Sequence, residues 1–183
     1  MMLIDSSHFR LAVSKSTNER TPGGIAGTPT PVALTDAAAR FLDEQDLSPH
    51  ARHFFDAHCY EHSLTIGPLV FISVNEFPEE NMDEVNARCI GEGLLIVGIG
   101  LNGDPIVLDL RNGLRVGFVK HEELWDEEES PARNLLVSST LDLGTFYLAA
   151  ALDETFPVDA CDAEALSVDD WERFRSVVNT QKS

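Results

Sequence analysis

Basic residues are scarce in this sequence: 13 lysines and arginines stand against 31 aspartates and glutamates, for a formal net charge of −18. A surface of this sign repels phosphate backbones and anionic headgroups, so we expect neither nucleic acid nor a membrane as a partner. It attracts a basic protein and accelerates the encounter by electrostatic steering. The same charge is also compatible with a role in solubility alone.

Cysteines and long apolar runs are also sparse. The three cysteines (Cys59, Cys89 and Cys161) are widely spaced and form no CxxC motif, which argues against a disulfide framework and favours a reducing compartment. The longest apolar run, "LLIVGIGL", is far shorter than the roughly 20 residues that span a bilayer. Asp5 occupies the position where a signal peptide needs an apolar core. These absences together predict a cytoplasmic protein.

The beginning of the chain differs in composition from the rest. Residues 1–31 include "SKSTNERTPGGIAGTPTPV", which has no apolar period and predicts a flexible or loosely docked extension. Two short runs in this segment, "MLI" and "FRLAV", are candidates for an edge strand. The remaining residues, 32–183, have the length of a single domain with its own core.

Helix signals flank the centre of the chain. "LTDAAARFLDEQ" can be capped by Thr35, and "LSPHARHFFDAHCYEH" offers Ser48 as N-cap with Pro49 at the first helical position. The polar stretch "PEENMDEVNARC" predicts a surface helix. Two C-terminal helix candidates begin with capping-box spacing, Ser139 with Asp142 and Ser167 with Asp170.

Strand signals dominate the centre. After a strand candidate in "GPLVFISVNEF", the runs "LLIVGIG", "PIVLDL" and "LRVGFV" are separated by the turns "LNGD" and "RNG", in which Asn and Gly tolerate positive φ. This pattern predicts an antiparallel meander. Helices before and after it give an α+β fold with the helices packed on one face of the sheet.

Four histidines fall within "HARHFFDAHCYEH", which raises the question of a metal site. At 100° per residue, His58 and His62 project into the apolar face of a helix, whereas His53 points away. The spacing of that pair is the one used by helical zinc sites. A zinc site needs at least one more ligand, and His121 supplies it only if the fold brings it close.

A structural role for these histidines is the stronger prediction. His58 is expected at the edge of the core with one hydrogen bond, and His50 and His53 are expected to be solvated. We therefore expect no metal and no cofactor.

Two further patterns lead to structural interpretations. "GIGLNG" matches the dinucleotide-binding G-x-G-x-x-G, but Asp104 and Pro105 open a strand where that motif requires a helix N-terminus. Asp109 is the one acid embedded in an apolar run, and strand alternation places it towards solvent or a turn. Neither pattern predicts a catalytic site.

The stretch "HEELWDEEES" concentrates acids around Trp125. It reads as an acidic loop with two interpretations. The first is a solvated charge run with Trp125 turned inward. The second is a partner surface, because an aromatic residue within an acidic field suits a basic protein ligand.

The order of the motifs resembles the SUKH superfamily. The resemblance rests on "LLIVGIGLNGDPIVLDLRNGLRVGFVKHEE" followed by "SSTLDLGTFYLAAAL", with "LSPHARHFFDAH" and "GPLVFISVNEF" in front, and it covers roughly residues 34–152. That superfamily includes many bacterial immunity proteins and a fungal regulator of cell-wall synthesis. The first 31 residues lie outside the pattern.

The resemblance implies a non-catalytic α+β domain that binds and blocks a basic toxin, often a nuclease. It also implies a partner-binding surface, for which the candidate residues are Asp104, Glu122, Glu123, Trp125, Asp126, Glu127, Glu128 and Glu129. Two alternatives stay open: an intracellular scaffold or regulatory module, and a small metal-dependent enzyme built on His58, His62 and His121. Nothing in the sequence indicates the oligomeric state.

Overall fold

The computed structural model of the protein describes residues 4–16, 29–126 and 130–182. Its helices are α1 (Ser6–Ser16), α2 (Asp36–Asp43), α3 (Pro49–Ala57), α4 (Phe77–Met82), α5 (Ala87–Gly91), α6 (His121–Asp126), α7 (Leu143–Leu152), α8 (Ala160–Glu164) and α9 (Val168–Asn179). Its strands are β1 (Leu64–Ile66), β2 (Leu69–Phe71), β3 (Leu94–Ile99), β4 (Pro105–Asp109), β5 (Arg115–Val119) and β6 (Leu136–Ser138). Short 3-10 turns span Val74–Glu76, Ala132–Leu135 and Thr180–Lys182.

The six strands form one antiparallel sheet in the order β1-β2-β3-β4-β5-β6. The predicted meander corresponds to β3, β4 and β5, and its two turns are closed by Gly103 and Gly113, at φ 100° and 70°. Both angles lie in the left-handed region that glycine adopts without strain. The α+β class and the antiparallel meander are confirmed, and the sheet extends beyond the meander at both edges.

The central strands of the sheet are buried on both of their faces. Ile106, Val107 and Leu108 of β4 are all fully buried, although consecutive strand residues point to opposite faces. On one face α7 packs against β5, where the rings of Phe146 and Phe118 lie 5.5 Å apart. The helices α4, α5 and α8 also contact the sheet. Both faces of the central strands are therefore covered.

The first helix, α1, corrects the prediction for the start of the chain. Phe9, Ala12 and Val13 are buried at the i, i+3, i+4 spacing of a helix, so "FRLAV" is not an edge strand. The Asp5 carboxylate accepts the backbone N–H groups of the first turn and caps the helix. The Phe9 ring packs edge-on against three aromatic rings, those of Phe54, Phe71 and Tyr147.

Consequently the described part of the predicted extension is not loosely docked, since α1 packs along α7 and contributes to the core. Residues 1–3, which contain most of the "MLI" run, and residues 17–28 lie outside the described residues.

Most predicted helix starts are confirmed by their capping bonds. Thr35 and Ser48 accept backbone N–H groups of α2 and α3, and Ser167 with Asp170 forms the predicted capping box of α9. The start of α7 differs, because Asp142 is its N-cap and Ser139 lies outside the helix. All of α7 from residue 143 to 150 is buried, so every side of the helix in this range packs against the protein.

The predicted surface helix "PEENMDEVNARC" is divided into α4 and α5, and it is partly buried. β2 ends at Phe71, so no strand of the described residues lies beside the first half of β3 on that side. Asn81 of α4 fills the gap: its Nδ2 donates to the Ile96 carbonyl at 2.9 Å, and its Oδ1 accepts the Ile96 N–H at 2.8 Å. The buried carboxamide thus takes the place of a neighbouring strand.

Candidate functional site: the acidic helix α6

The stretch predicted as an acidic loop begins with a helix, α6, at the end of the sheet where β5 terminates. Leu124 is fully buried beneath the helix, and its N–H bonds to the carbonyl of Lys120 at 3.0 Å. A helix of six residues is unstable by itself, and its exposed acids add no packing energy. The helix forms because groups from distant parts of the chain hold both of its ends.

Asp104 holds the first end of α6. Its Oδ1 accepts the His121 N–H at 2.9 Å and the His121 Nδ1–H at 2.7 Å, and its Oδ2 accepts the Ala160 N–H at 2.7 Å. One carboxylate therefore ties together the β3–β4 turn, the start of α6 and the start of α8. Burial by itself would raise the pKa of Asp104, but the hydrogen bonds donated by His121 and Ala160 outweigh it and lower the pKa.

This geometry corrects one predicted partner-binding residue. The Asp104 residue is only 3 % exposed, and both of its carboxylate oxygens accept hydrogen bonds from within the chain. It cannot contact a partner directly, and its role is to position α6.

The other end of α6 is held by Arg88 of α5. Its guanidinium donates to the carbonyl of Leu124 and to the carbonyl of Ser130. Lys120, just before the helix, donates to Glu164 of α8 at 3.0 Å and lies 3.6 Å from Glu123. These contacts fix the helix on the protein and leave one face of it exposed.

The exposed face of α6 carries Trp125, whose residue is 65 % exposed. The alternative in which this side chain turns inward is therefore wrong. His121, Glu122, Trp125 and Asp126 line an open groove of about 470 Å³, which we call the Trp125 groove. Of the other predicted contacts, Glu123 is exposed and lies near Lys120, while residues 127–129 (Glu127, Glu128 and Glu129) are outside the described residues.

Asp109 is also placed differently from its prediction. It is buried, and its carboxylate accepts a bidentate pair of hydrogen bonds from Arg133. The Glu92 carboxylate accepts the backbone N–H groups of Ala132 and Arg133, both at 3.0 Å. This network attaches the 3-10 turn before β6 to the sheet and does not belong to the Trp125 groove. Strand alternation could not predict the burial of Asp109, because its partner Arg133 is distant in sequence.

The histidine pair predicted on one helix is separated. α3 ends at Ala57, His58 is its C-cap, and His62 lies beyond it, exposed. The i, i+4 spacing therefore does not bring the two rings to one face. His50 was predicted to be solvated, but it is only partly so, because its Nε2 lies 2.9 Å from the carbonyl of Ile4.

His58 lies inside the aromatic core and not at its edge. Its residue is 2 % exposed, and its ring centroid is 5.0 Å from that of Phe9 and 4.7 Å from that of Phe54. Nδ1 is 3.4 Å from the Tyr60 hydroxyl, and Nε2 has no hydrogen-bond partner among the described residues. Burial, with smaller contributions from the charges of Arg10 and His53, lowers the pKa of His58 to about 4.

A metal centre finds little support in this arrangement. Within residues 4–16, 29–126 and 130–182, no group of three or more His, Cys, Asp or Glu side chains is placed to hold a metal ion. His121, the third ligand of that alternative, bonds to Asp104 instead. Cys59 and Cys89 are buried, and burial raises the pKa of the Cys89 thiol to about 12.

The glycine motif "GIGLNG" behaves as predicted. β3 ends within it, Gly103 closes the turn, and β4 follows at Pro105, so no helix N-terminus is present at the position that would hold a pyrophosphate.

Comparison with family models, with curated proteins and with solved structures found no match. In the part of the chain that the structure describes, no helix has the length and apolar character needed to cross a bilayer.

Proposed function

We propose that this protein is a non-catalytic, acidic binding protein of the immunity type, which neutralises a basic, nuclease-type toxin in the cytoplasm by protein–protein binding. The observation that carries the proposal is the Trp125 groove, in which an exposed indole and two carboxylates lie together on a helix held at both ends. Exposed aromatic side chains in a fixed setting are the residues that dominate binding energy at interfaces. The resemblance to the SUKH superfamily points in the same direction.

Charge and rigidity both support this function. The net charge of −18 attracts a cationic nuclease over distances of about one Debye length, about 8–10 Å in physiological salt. Because Asp104, Lys120 and Arg88 hold α6 before any partner arrives, little ordering entropy is lost on binding. An acidic surface so placed can occupy the cationic groove that a nuclease uses for nucleic acid.

The proposal is tested by co-expressing this chain with any basic protein that is encoded beside its gene and arrests growth when expressed alone. We expect wild type to restore growth and Trp125→Ala with Glu122→Lys to abolish the rescue. The matched control is Glu84→Lys, which makes the same charge change at an exposed acid before α5. Equal loss of rescue in both variants, or rescue without a physical complex, would contradict neutralisation through α6.

Association kinetics give a second test. If steering operates, the association rate constant of the complex falls steeply as salt is raised, whereas the dissociation rate constant changes little. A salt-independent association rate would rule out steering by the acidic surface. Weak binding to several host proteins, with no toxin neutralised, would instead indicate a scaffold or regulatory module.

A further inference from the structure

We propose that the Trp125 groove is an arginine-binding site, in which the guanidinium of a partner arginine stacks on the indole and pairs with the carboxylates of Glu122 and Asp126. This inference deepens the proposed function and rests on it for the existence of a protein partner. The choice of arginine comes from the groove itself.

Within the described residues, no lysine or arginine pairs with the carboxylates of the groove. Lys120, the basic residue next to α6, pairs with Glu164 and lies 3.6 Å from Glu123, and neither of these acids lines the groove. Among the residues that the structure describes, Glu122 and Asp126 make no ion pair. A cation from outside the chain is the ligand that complements two such carboxylates beside an exposed π-face.

Both acids line the same groove as the indole. Glu122 precedes Trp125 by one helical turn and so lies on the same side of α6, and Asp126 follows it directly. A purely apolar ligand in the groove would take water away from both carboxylates without replacing their hydrogen bonds. A phosphate or carboxylate would be repelled by them.

Arginine fits this groove better than lysine. The guanidinium is planar, so it stacks on an indole face while its five N–H donors remain available at its edge. It can therefore stack and pair with carboxylates at the same time, whereas an ammonium group concentrates its charge at one point. His121 also lines the groove. Its ring is held in place because Nδ1 bonds to the Asp104 carboxylate.

The first measurement uses the purified full chain and a short oligoarginine peptide at low ionic strength. The chain has two tryptophans, and each contributes one indole N–H signal in a two-dimensional nitrogen–proton spectrum. We expect the Trp125 signal to shift on titration, while the signal of Trp171, only 4 % exposed, stays in place as an internal reference. A Trp125 signal that does not move overturns the proposal.

The second measurement compares peptides and variants. An oligolysine peptide of the same length provides equal charge without a stacking group. We expect Trp125→Leu to weaken oligoarginine binding about threefold and oligolysine binding much less, since an exposed cation–π contact accounts for roughly a two- to fivefold change. Glu122→Gln should weaken oligoarginine binding more than Glu84→Gln, which removes one exposed acid elsewhere.

Equal effects of Trp125→Leu on the two peptides, or equal effects of Glu122→Gln and Glu84→Gln, would overturn the arginine site. These outcomes are independent of the toxin assay, because no partner is present. If the groove binds oligoarginine but the chain neutralises no toxin, the proposed function is contradicted and the arginine site is kept. If the chain neutralises a toxin but Trp125→Leu binds oligoarginine as tightly as wild type, the arginine site is overturned and the proposed function is kept.

Discussion

The pH dependence of stability can be worked out from His58. Its pKa is about 4 in the folded protein and 6.5 as an ordinary value, so the unfolded chain takes up the proton first as pH falls. The stability due to the neutral, buried imidazole is complete above about pH 6.5 and is lost progressively from there towards about pH 4. The difference of about 2.5 pKa units corresponds to about 3 kcal/mol at 1.36 kcal/mol per unit.

The structural cause of this loss is the setting of the ring. A charged imidazole at this position would lie between Phe9 and Phe54, with Arg10 adding a second positive charge nearby. Nothing in the described residues accepts a hydrogen bond from Nε2. The folded state therefore resists protonation, and the proton promotes unfolding.

The assay is urea unfolding of wild type and His58→Phe at a series of pH values from about 7 to about 4. Phe keeps an aromatic ring of similar size but cannot titrate, so wild type should lose about 3 kcal/mol more than the variant across that range. Carboxyl groups with lowered pKa, such as Asp104, titrate in both proteins and cancel in the difference. His62→Gln, at an exposed position that does not contribute to the lowered pKa of His58, is the control and should behave as wild type. Parallel curves for wild type and His58→Phe would refute the reasoning.

Three further predictions follow from the buried polar groups and the thiols. Arg133→Ala leaves the Asp109 carboxylate buried without its bidentate partner, so we expect the free energy of unfolding to fall by about 3 kcal/mol or more, and a loss below 1 kcal/mol would contradict the network. Asp104→Asn removes one acceptor oxygen and the charge, so it should lower that free energy by about 2 kcal/mol and speed hydrogen exchange at the His121 amide; unchanged exchange would contradict the junction. Exposed Cys161 should react with a thiol reagent in the folded protein, whereas Cys89 should react only after unfolding, and equal rates would disagree with its burial.

Local signals in the sequence were sufficient for much of the fold. The Asn-Gly turns fix strand pairing within a few residues of themselves, and Ser48, Thr35 and Ser167 cap the helices that directly follow them. These features depend on residues that are neighbours along the chain, so they can be predicted from short sequence patterns.

The features that the sequence did not reveal depend on distant partners. α1 has an apolar face of only a few residues, and it is stable as a helix because Phe9 enters a pocket of rings from three other elements. α6 forms because Asp104 and Arg88 hold its ends. No local pattern predicts such contacts, and helices as short as these are unstable in water without them.

The candidate site was predicted unevenly for the same reason. Charge density and one tryptophan are visible in a sequence, so Glu122, Trp125 and Asp126 could be proposed as a surface. Whether an acid is buried depends on where its donors lie. Asp104 follows the turn "LNG" and resembles any solvated turn residue, although its donors come from residues 121 and 160.

The side chain of Asn81 constrains how this sequence can diverge. It supplies both a donor and an acceptor to the backbone of Ile96, a task that Asp, which lacks the donor, and Leu, which lacks both, cannot perform. The position can change only if β2 lengthens to pair with that part of β3. In a relative of this protein, loss of this asparagine should therefore accompany a longer β2 hairpin, so one residue and one strand length are inherited as a pair.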